Sequence, residues 1–183
     1  MPAREVEKRR NNYEKPECYI LFPYRLYGVG LPDLDIAKET FRISPRAMNG
    51  QPRSNGWIQD PIFAACVGDT DDAKERIVTR SKHICKESRF PGFWDYTYAW
   101  VPNQDHGGVN MTALQHMLIQ SEPWSDKIHL FPAWPREWDC SFKLHSPDKT
   151  IVQGKLENGK LVDLKVTPES RKKDIIIYLN AKQ

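Results

Sequence analysis

Residues 100 to 109 read WVPNQDHGGV and set two amides, a carboxylate and an imidazole side by side: Asn103, Gln104, Asp105 and His106. Asp105 is the carboxylate of this aromatic loop that also borders a glycine pair and a helix start. As a catalytic group it can take a proton from water, with Asn103 and Gln104 close enough in sequence to fix its geometry. As a structural group it can accept amide hydrogen bonds from the turn that follows, and residue types alone leave both roles open. Asp95, beside Trp94, is a similar case, and Asp60 reads as a helix cap.

Other chemistries find less support. His106 and His116 lie ten residues apart, and His83, His129 and His145 have no partners at ligand spacing. Cys18, Cys66, Cys85 and Cys140 are scattered without a C-x-x-C pair, so they read as small buried residues, and neither a metal nor another cofactor is expected. A serine triad lacks its G-x-S-x-G elbow. Gly28-Val29-Gly30 lacks the rest of a dinucleotide fingerprint and reads as a turn.

The elements that must position these residues fall into two halves. After the polar opening and the run CYILFPYRLYGVG, Asp33 is expected to cap a short helix with Ile36, Ala37 and Phe41 on one side. Asp60-Pro61 starts a second helix, which Gly68 stops, and Asp69 or Thr70 caps a third that carries Ala73, Ile77 and Val78 at helical spacing. About twenty residues of Phe, Trp, Tyr, Pro and Gly follow, and structureless stretches that long in compact domains are usually functional. Thr112 with Gln115 forms a capping-box pattern, and Met111, Leu114, Met117 and Leu118 are expected to line the buried face of a helix ending near Ser121.

Past Pro123 the period changes. Ile128 to Leu130 and Trp138 to Leu144 read as strands, and Asn158-Gly159 is expected to turn a type I′ hairpin whose second strand alternates Val162, Leu164 and Val166. Asp174 to Leu179 supplies a last strand. The chain is thus read as α+β, with a helical region over residues 1–123 and a β region over residues 124–183.

Composition narrows the function classes. The 183 residues, 39% hydrophobic and 28% charged, suffice for a real core. A formal charge of +3, with basic residues scattered, argues against a nucleic-acid partner. No apolar run is long enough to span a membrane, and the start MPAREVEKRR lacks the apolar centre of a signal peptide. Six Trp, seven Tyr and seven Phe fall largely in Pro- and Gly-rich segments. Such rings plug cores, and they also line sugar clefts, where an apolar face meets the C–H face of a pyranose.

Five segments in order resemble a known pattern: LFPYRLYGVG, NGWIQDPIFAACVGDTDDAKERI, FWDYTYAWVPNQDHGGVNMTALQHMLIQS, KIHLFPAWPREWDCSFKL and ENGKLVDLKV. Together they resemble the C-terminal portion of six-hairpin glycosidases, in particular glycoside hydrolase family 95, the α-L-fucosidase group, and bacterial proteins related to it. The resemblance runs from about Tyr19 onward. It implies the last helical hairpins of an (α/α)6 barrel followed by a small antiparallel, β-sandwich-like domain. The family's general base is an Asp in a Gln-Ile-Asp-Gly-Asn-Phe-Gly context, just before a helix ending Leu-Leu-Gln-Ser. Here Gln104-Asp105-His106-Gly107-Gly108 precedes a helix ending Leu118-Ile119-Gln120-Ser121, so Asp105 is the matching position.

The resemblance therefore implies part of an inverting glycoside hydrolase acting on carbohydrate, with Asp105 as base and Trp94, Trp100, Asn103 and His106 as substrate-binding residues. The family's general acid lies well upstream and has no match in this chain, which makes the missing barrel region, or self-association, the expected protein partner. The alternative is a non-catalytic carbohydrate-binding or structural remnant. No residue separates Gln104 from Asp105, and the Gly-Asn-Phe-Gly continuation is replaced, so fucose itself is not implied. A bacterial periplasmic or extracellular setting follows from the resemblance alone.

Overall fold

The computed structural model describes residues 15–44, 47–48, 51–52, 58–82 and 105–179, with residues 47–48, 51–52 and 105–106 described by their backbone alone. The described chain is α+β, with helices first and most strands after. A 3-10 turn at Pro16–Cys18 leads to α1 (Leu34–Ile43), a two-stranded ribbon of β1 (Ala47–Met48) and β2 (Gln51–Pro52), α2 (Asp60–Val67), α3 (Thr70–Lys82) and α4 (Asp105–Leu118). Two three-stranded sheets follow. One orders β3 (Ile119–Gln120), β4 (Ile128–Leu130) and β8 (Ile175–Ile177), and the other is the meander β5 (Cys140–Ser146), β6 (Thr150–Glu157) and β7 (Lys160–Thr167).

Helix α2 is the hub, because every residue from Asp60 to Val67 is buried. A helix apolar on all sides needs neighbours on all sides, and α1, α3 and α4 supply them. Its end follows from the Gly-Asp pair: the amides of Gly68 and Asp69 return to the carbonyls of Ala65 and Ala64 at 3.1 and 2.9 Å, a Schellman closure. Asp69 then accepts the Asp72 amide at 3.1 Å and caps α3, as its place in the sequence predicts.

Helix α1 departs from expectation at its cap and on its buried face. Asp33 sits in the left-handed region, with φ 57°, and makes no side-chain cap. A capping side chain needs an extended backbone to reach back, so the Asp33 carbonyl closes the turn instead, onto the Ile36 amide. The buried face is Ala37, Thr40 and Phe41, whereas Ile36 is exposed.

Helix α4 begins seven residues before the capping-box pattern suggests. Gly107 and Gly108 therefore form helix rather than a bend, and Thr112 and Gln115 are interior. Each glycine costs a helix about 1 kcal/mol against alanine, a cost offset here by burial further along. The stripe Val109, Ala113, Met117 at four-residue spacing packs into the helical core, while Met111 is 64% exposed and Leu114 only half-buried. The helix stops at Leu118 and the chain continues as β3, pairing Ile119 with Leu130.

In the meander, Asn158 (φ 51°) and Gly159 (φ 71°) are both left-handed and Glu157 faces Lys160, which is the expected type I′ turn. The alternation in β7 breaks at Val162. Leu161 pairs with Leu156 and Asp163 with Lys155, so Val162 is the extra residue of a bulge and is exposed. Strand β8 runs parallel to β4, so the sheet it joins is mixed where an antiparallel one was expected. The whole β5–β7 meander and a 3-10 turn (Glu169–Asp174) intervene, and a connection that long allows a parallel return.

Two apolar clusters result, one among the helices and one among the sheets, and Trp134 packs against both. The loop ahead of α1 is pressed onto the second. A Cβ at Gly30, whose φ is +78°, would stand 2.0 Å from His129 Nε2. Gly30→Ala should therefore destabilise the fold by about 2–3 kcal/mol through strain and overpacking. Urea unfolding checks this, and a loss below about 0.5 kcal/mol would mean that the loop lifts freely from His129.

Candidate functional site

Asp105 and His106 are the first two residues of α4. They stand together on the opening turn of a helix whose last two turns are anchored in the core by Ala113, Met117 and Leu118. Trp94, Trp100 and Asn103 lie outside the described residues, as does Asp95.

The far end of α4 holds a network that the sequence reading missed. Arg25 Nε donates to Glu122 Oε1 at 2.7 Å, and its Nη2 donates to Gln120 Oε1 at 2.9 Å. Gln120 Nε2 in turn donates to the carbonyls of Ala65 at 2.7 Å and His116 at 2.8 Å. Arg25 is only 6% exposed, so one buried guanidinium ties the irregular segment before α1 to the junction of α4 and β3. The signal was present in the sequence as a lone charge inside CYILFPYRLYGVG, since a charge within an apolar run must be paired if the run is buried.

The guanidinium also adds to the effect of burial on two neighbouring imidazoles. Burial, and then the nearby Arg25 charge, pulls the His116 imidazole down from its usual 6.5 to about 4. The same two causes, in the same order, lower His129, whose Nδ1 lies 2.8 Å from the Tyr178 hydroxyl. His116 Nδ1 is buried with no hydrogen-bond partner among the described residues, and its ring meets Phe22 edge-on at 5.7 Å. A neutral imidazole wedged against an aromatic ring is a packing group, not a proton carrier at neutral pH.

Asp60 is not a side-chain cap. Its carboxylate is fully buried and takes Lys15 Nζ at 2.8 Å and Arg76 Nη1 at 3.0 Å, while Arg76 Nε holds Asp72 at 2.8 Å. Two cations within reach outcompete the helix amides for a carboxylate removed from water. Burial draws the Lys15 ammonium below its usual value against the opposing pull of Asp60. The cluster is charge-matched, two cations against two carboxylates, which suits it to holding α2, α3 and the segment at Lys15 together, while Asp60 Oδ1 has no hydrogen-bond partner among the described residues. Among the described residues no group of three or more His, Cys, Asp or Glu is placed to hold a metal ion, and no described helix is long and apolar enough to cross a membrane.

An open cleft of about 680 Å³ lies between α1, the α2–α3 turn, the connection 131–137 and Tyr178–Leu179. It sits beside the C-terminal end of α4, because Phe131 and Ala133 donate to the Leu118 and Met117 carbonyls at 2.7 and 3.2 Å. Among the residues whose side chains are described, none from α4 lines it. At about 1.5 Å per residue, α4 holds Asp105 on the order of 20 Å from this end. The described residues thus present two separate features, a helix start bearing Asp105 and His106, and a cleft at the opposite end.

No protein-family model matches the chain, and no curated protein matches it in sequence.

Two outcomes test the network beneath α4. Glu122→Gln should cost about 3–5 kcal/mol by leaving Arg25 buried and uncompensated, and the paired change Arg25→Met with Glu122→Met should recover most of that loss. Urea unfolding of both variants reads this directly, and a double variant no more stable than Glu122→Gln would mean that the pair is not coupled. For His116, the unfolded ring takes its proton near 6.5 while the folded ring resists until about 4. Its contribution is therefore complete above pH 6.5 and falls away as the pH drops toward 4, by about 3 kcal/mol in all. His116→Phe should flatten the stability profile across that window, and an unchanged slope would assign the acid sensitivity elsewhere.

Proposed function

We propose that this chain is the C-terminal part of an inverting glycoside hydrolase of the six-hairpin kind, with Asp105 as its general base. The observation that carries the reading is the position of Asp105 on the first turn of α4, a helix anchored at its rear. A general base has to be held still and ionised at the same time. An anchored helix provides the first, and the positive end of a helix dipole, worth about 0.3–1 kcal/mol to an anion in the first turn, favours the second.

In this reading α2, α3 and α4 belong to the last hairpins of an (α/α)6 barrel. The exposed Met111 on α4 and Ile36 on α1 are places where neighbouring barrel helices would pack. The partner is the rest of that barrel, which would bring the general acid. Trp94, Trp100, Asn103 and His106 would then border the sugar beside the base.

Asp105 accepts a proton from water as the water oxygen bonds to the anomeric carbon, the glycosidic C–O bond breaks on the opposite face, and the acid protonates the departing oxygen. Inversion requires the two carboxyls about 6.5–9.5 Å apart so that the water fits between them.

In the complete enzyme, Asp105→Asn should lower hydrolysis of neutral glycosides about 10²- to 10⁴-fold and leave the Kd for the same sugar within about twofold. Steady-state rates with parallel binding measurements check this. Turnover within about threefold of the unaltered enzyme would remove Asp105 from the role of base.

A further inference from the structure

We infer that the cleft at the C-terminal end of α4 is a binding site for a neutral glycan, separate from the Asp105 end of the helix. Its volume of about 680 Å³ lies inside the range of small-ligand pockets, about 300–1,000 Å³. Three features of its lining select the class of ligand.

The first is the charge balance. Four cationic and five anionic side chains line the cleft, so it presents no field of one sign. Several are already neutralised: Glu39 and Arg42 form a two-point pair at 2.5 and 2.6 Å, and Lys74 pairs with Glu137 from α3 to the connection 131–137. A phosphate, an acidic sugar or a polyamine would meet nearly as many like charges as opposite ones, or more. An uncharged ligand has no such conflict.

The second is the density of open hydrogen-bonding groups. Asp35 and Lys38 stand three residues apart on α1 and so share one side of it, and Asp71 and Arg136 face the same cleft from α3 and the connection. Asp35, Lys38, Asp71 and Arg136 make no ion pair among the described residues, and all are exposed. Carboxylates accept and cations donate, the pairing that a run of vicinal hydroxyls can answer on both counts.

The third is the apolar part. Phe41 and Phe131 are 3% and 2% exposed and form a sealed floor, which leaves Trp134 and Tyr178 as half-buried rings on the lining. Trp134 is fixed before any ligand arrives, because its Nε1 donates to the Trp138 carbonyl at 2.9 Å and the two indoles meet edge-to-face at 5.7 Å. The cleft therefore offers held ring surface but no open apolar hole. A peptide side chain needs such a hole to anchor it, whereas the C–H face of a pyranose needs only a flat ring beside hydrogen-bonding groups.

The site goes beyond the assignment of Asp105, and its test reads binding rather than hydrolysis. The full chain is titrated calorimetrically with cellotetraose, xylotetraose, mannotetraose and galactotetraose, with tetragalacturonate as the acidic sugar and a mixed-sequence tetrapeptide as the peptide. At least one neutral tetrasaccharide should bind with a Kd of about 1 mM or tighter. The triple variant Asp35→Ala, Lys38→Ala, Asp71→Ala changes only exposed positions and should keep its melting temperature while weakening that binding at least about tenfold. Absence of binding by all four neutral probes, equal affinity in the triple variant, or tighter binding of tetragalacturonate or the tetrapeptide would each overturn the inference.

Discussion

The interaction on which the rest of this fold leans is the buried guanidinium of Arg25. It comes from a segment with no regular structure, where Arg25 itself has φ 50°, and it reaches Glu122 and Gln120 just past α4. Nothing in helix propensity or strand alternation would bring those segments together. Removing a guanidinium from water costs several kcal/mol, repaid only when its partners are correctly placed. A register in which β3 slipped by one residue would turn Gln120 away from both Arg25 and the Ala65 carbonyl. The network thus adds a directional constraint where helix stops and sheet begins, beside the apolar burial of Leu118, Ile119, Ile128 and Leu130.

The second buried cluster has the same logic at the other side of α2. Lys15 and Arg76 pair with Asp60, Arg76 also holds Asp72, and Lys15 lies 5.6 Å from the Phe41 ring centre. The Lys15 segment, α2 and α3 are located by charge matching, and α1 joins them through Phe41. With polar locks on both sides, the apolar α2 supplies burial energy and the ion pairs supply uniqueness, a division seen where apolar contact alone is permissive.

Local chemistry was legible wherever a few adjacent residues decide the outcome. Gly68-Asp69 closes one helix and caps the next, and Asn158-Gly159 turns the hairpin, because each motif satisfies its own backbone groups. The sequence misled where distant partners decide. Asp60 looks like a cap until Lys15 and Arg76 arrive from 45 and 16 residues away. The Gly107-Gly108 pair reads as a bend until the Val109, Ala113, Met117 stripe is seated against the helical core. Strand β8 was visible as an apolar run, but its parallel pairing with β4 depends on the path of the intervening meander. Of the residues singled out for function, Asp105 and His106 are located on α4, while Trp94, Trp100 and Asn103 fall outside the described residues.

Helix α4 then takes on a meaning that neither end has alone. Its rear is held by the Arg25 network and by the Phe131 and Ala133 amides, and Phe131 also lines the cleft. Its front carries Asp105. A rigid helix about 20 Å long, gripped at one end, holds the other at a set distance without any contact between them. A glycan occupying both the cleft and a site at Asp105 would have to extend along the protein surface, and binding at the cleft would raise the local concentration of chain at the front. In the proposed enzyme, the buried arginine would then serve catalysis through geometry alone, by fixing the spacing between the place where a long substrate is held and the place where it is cut.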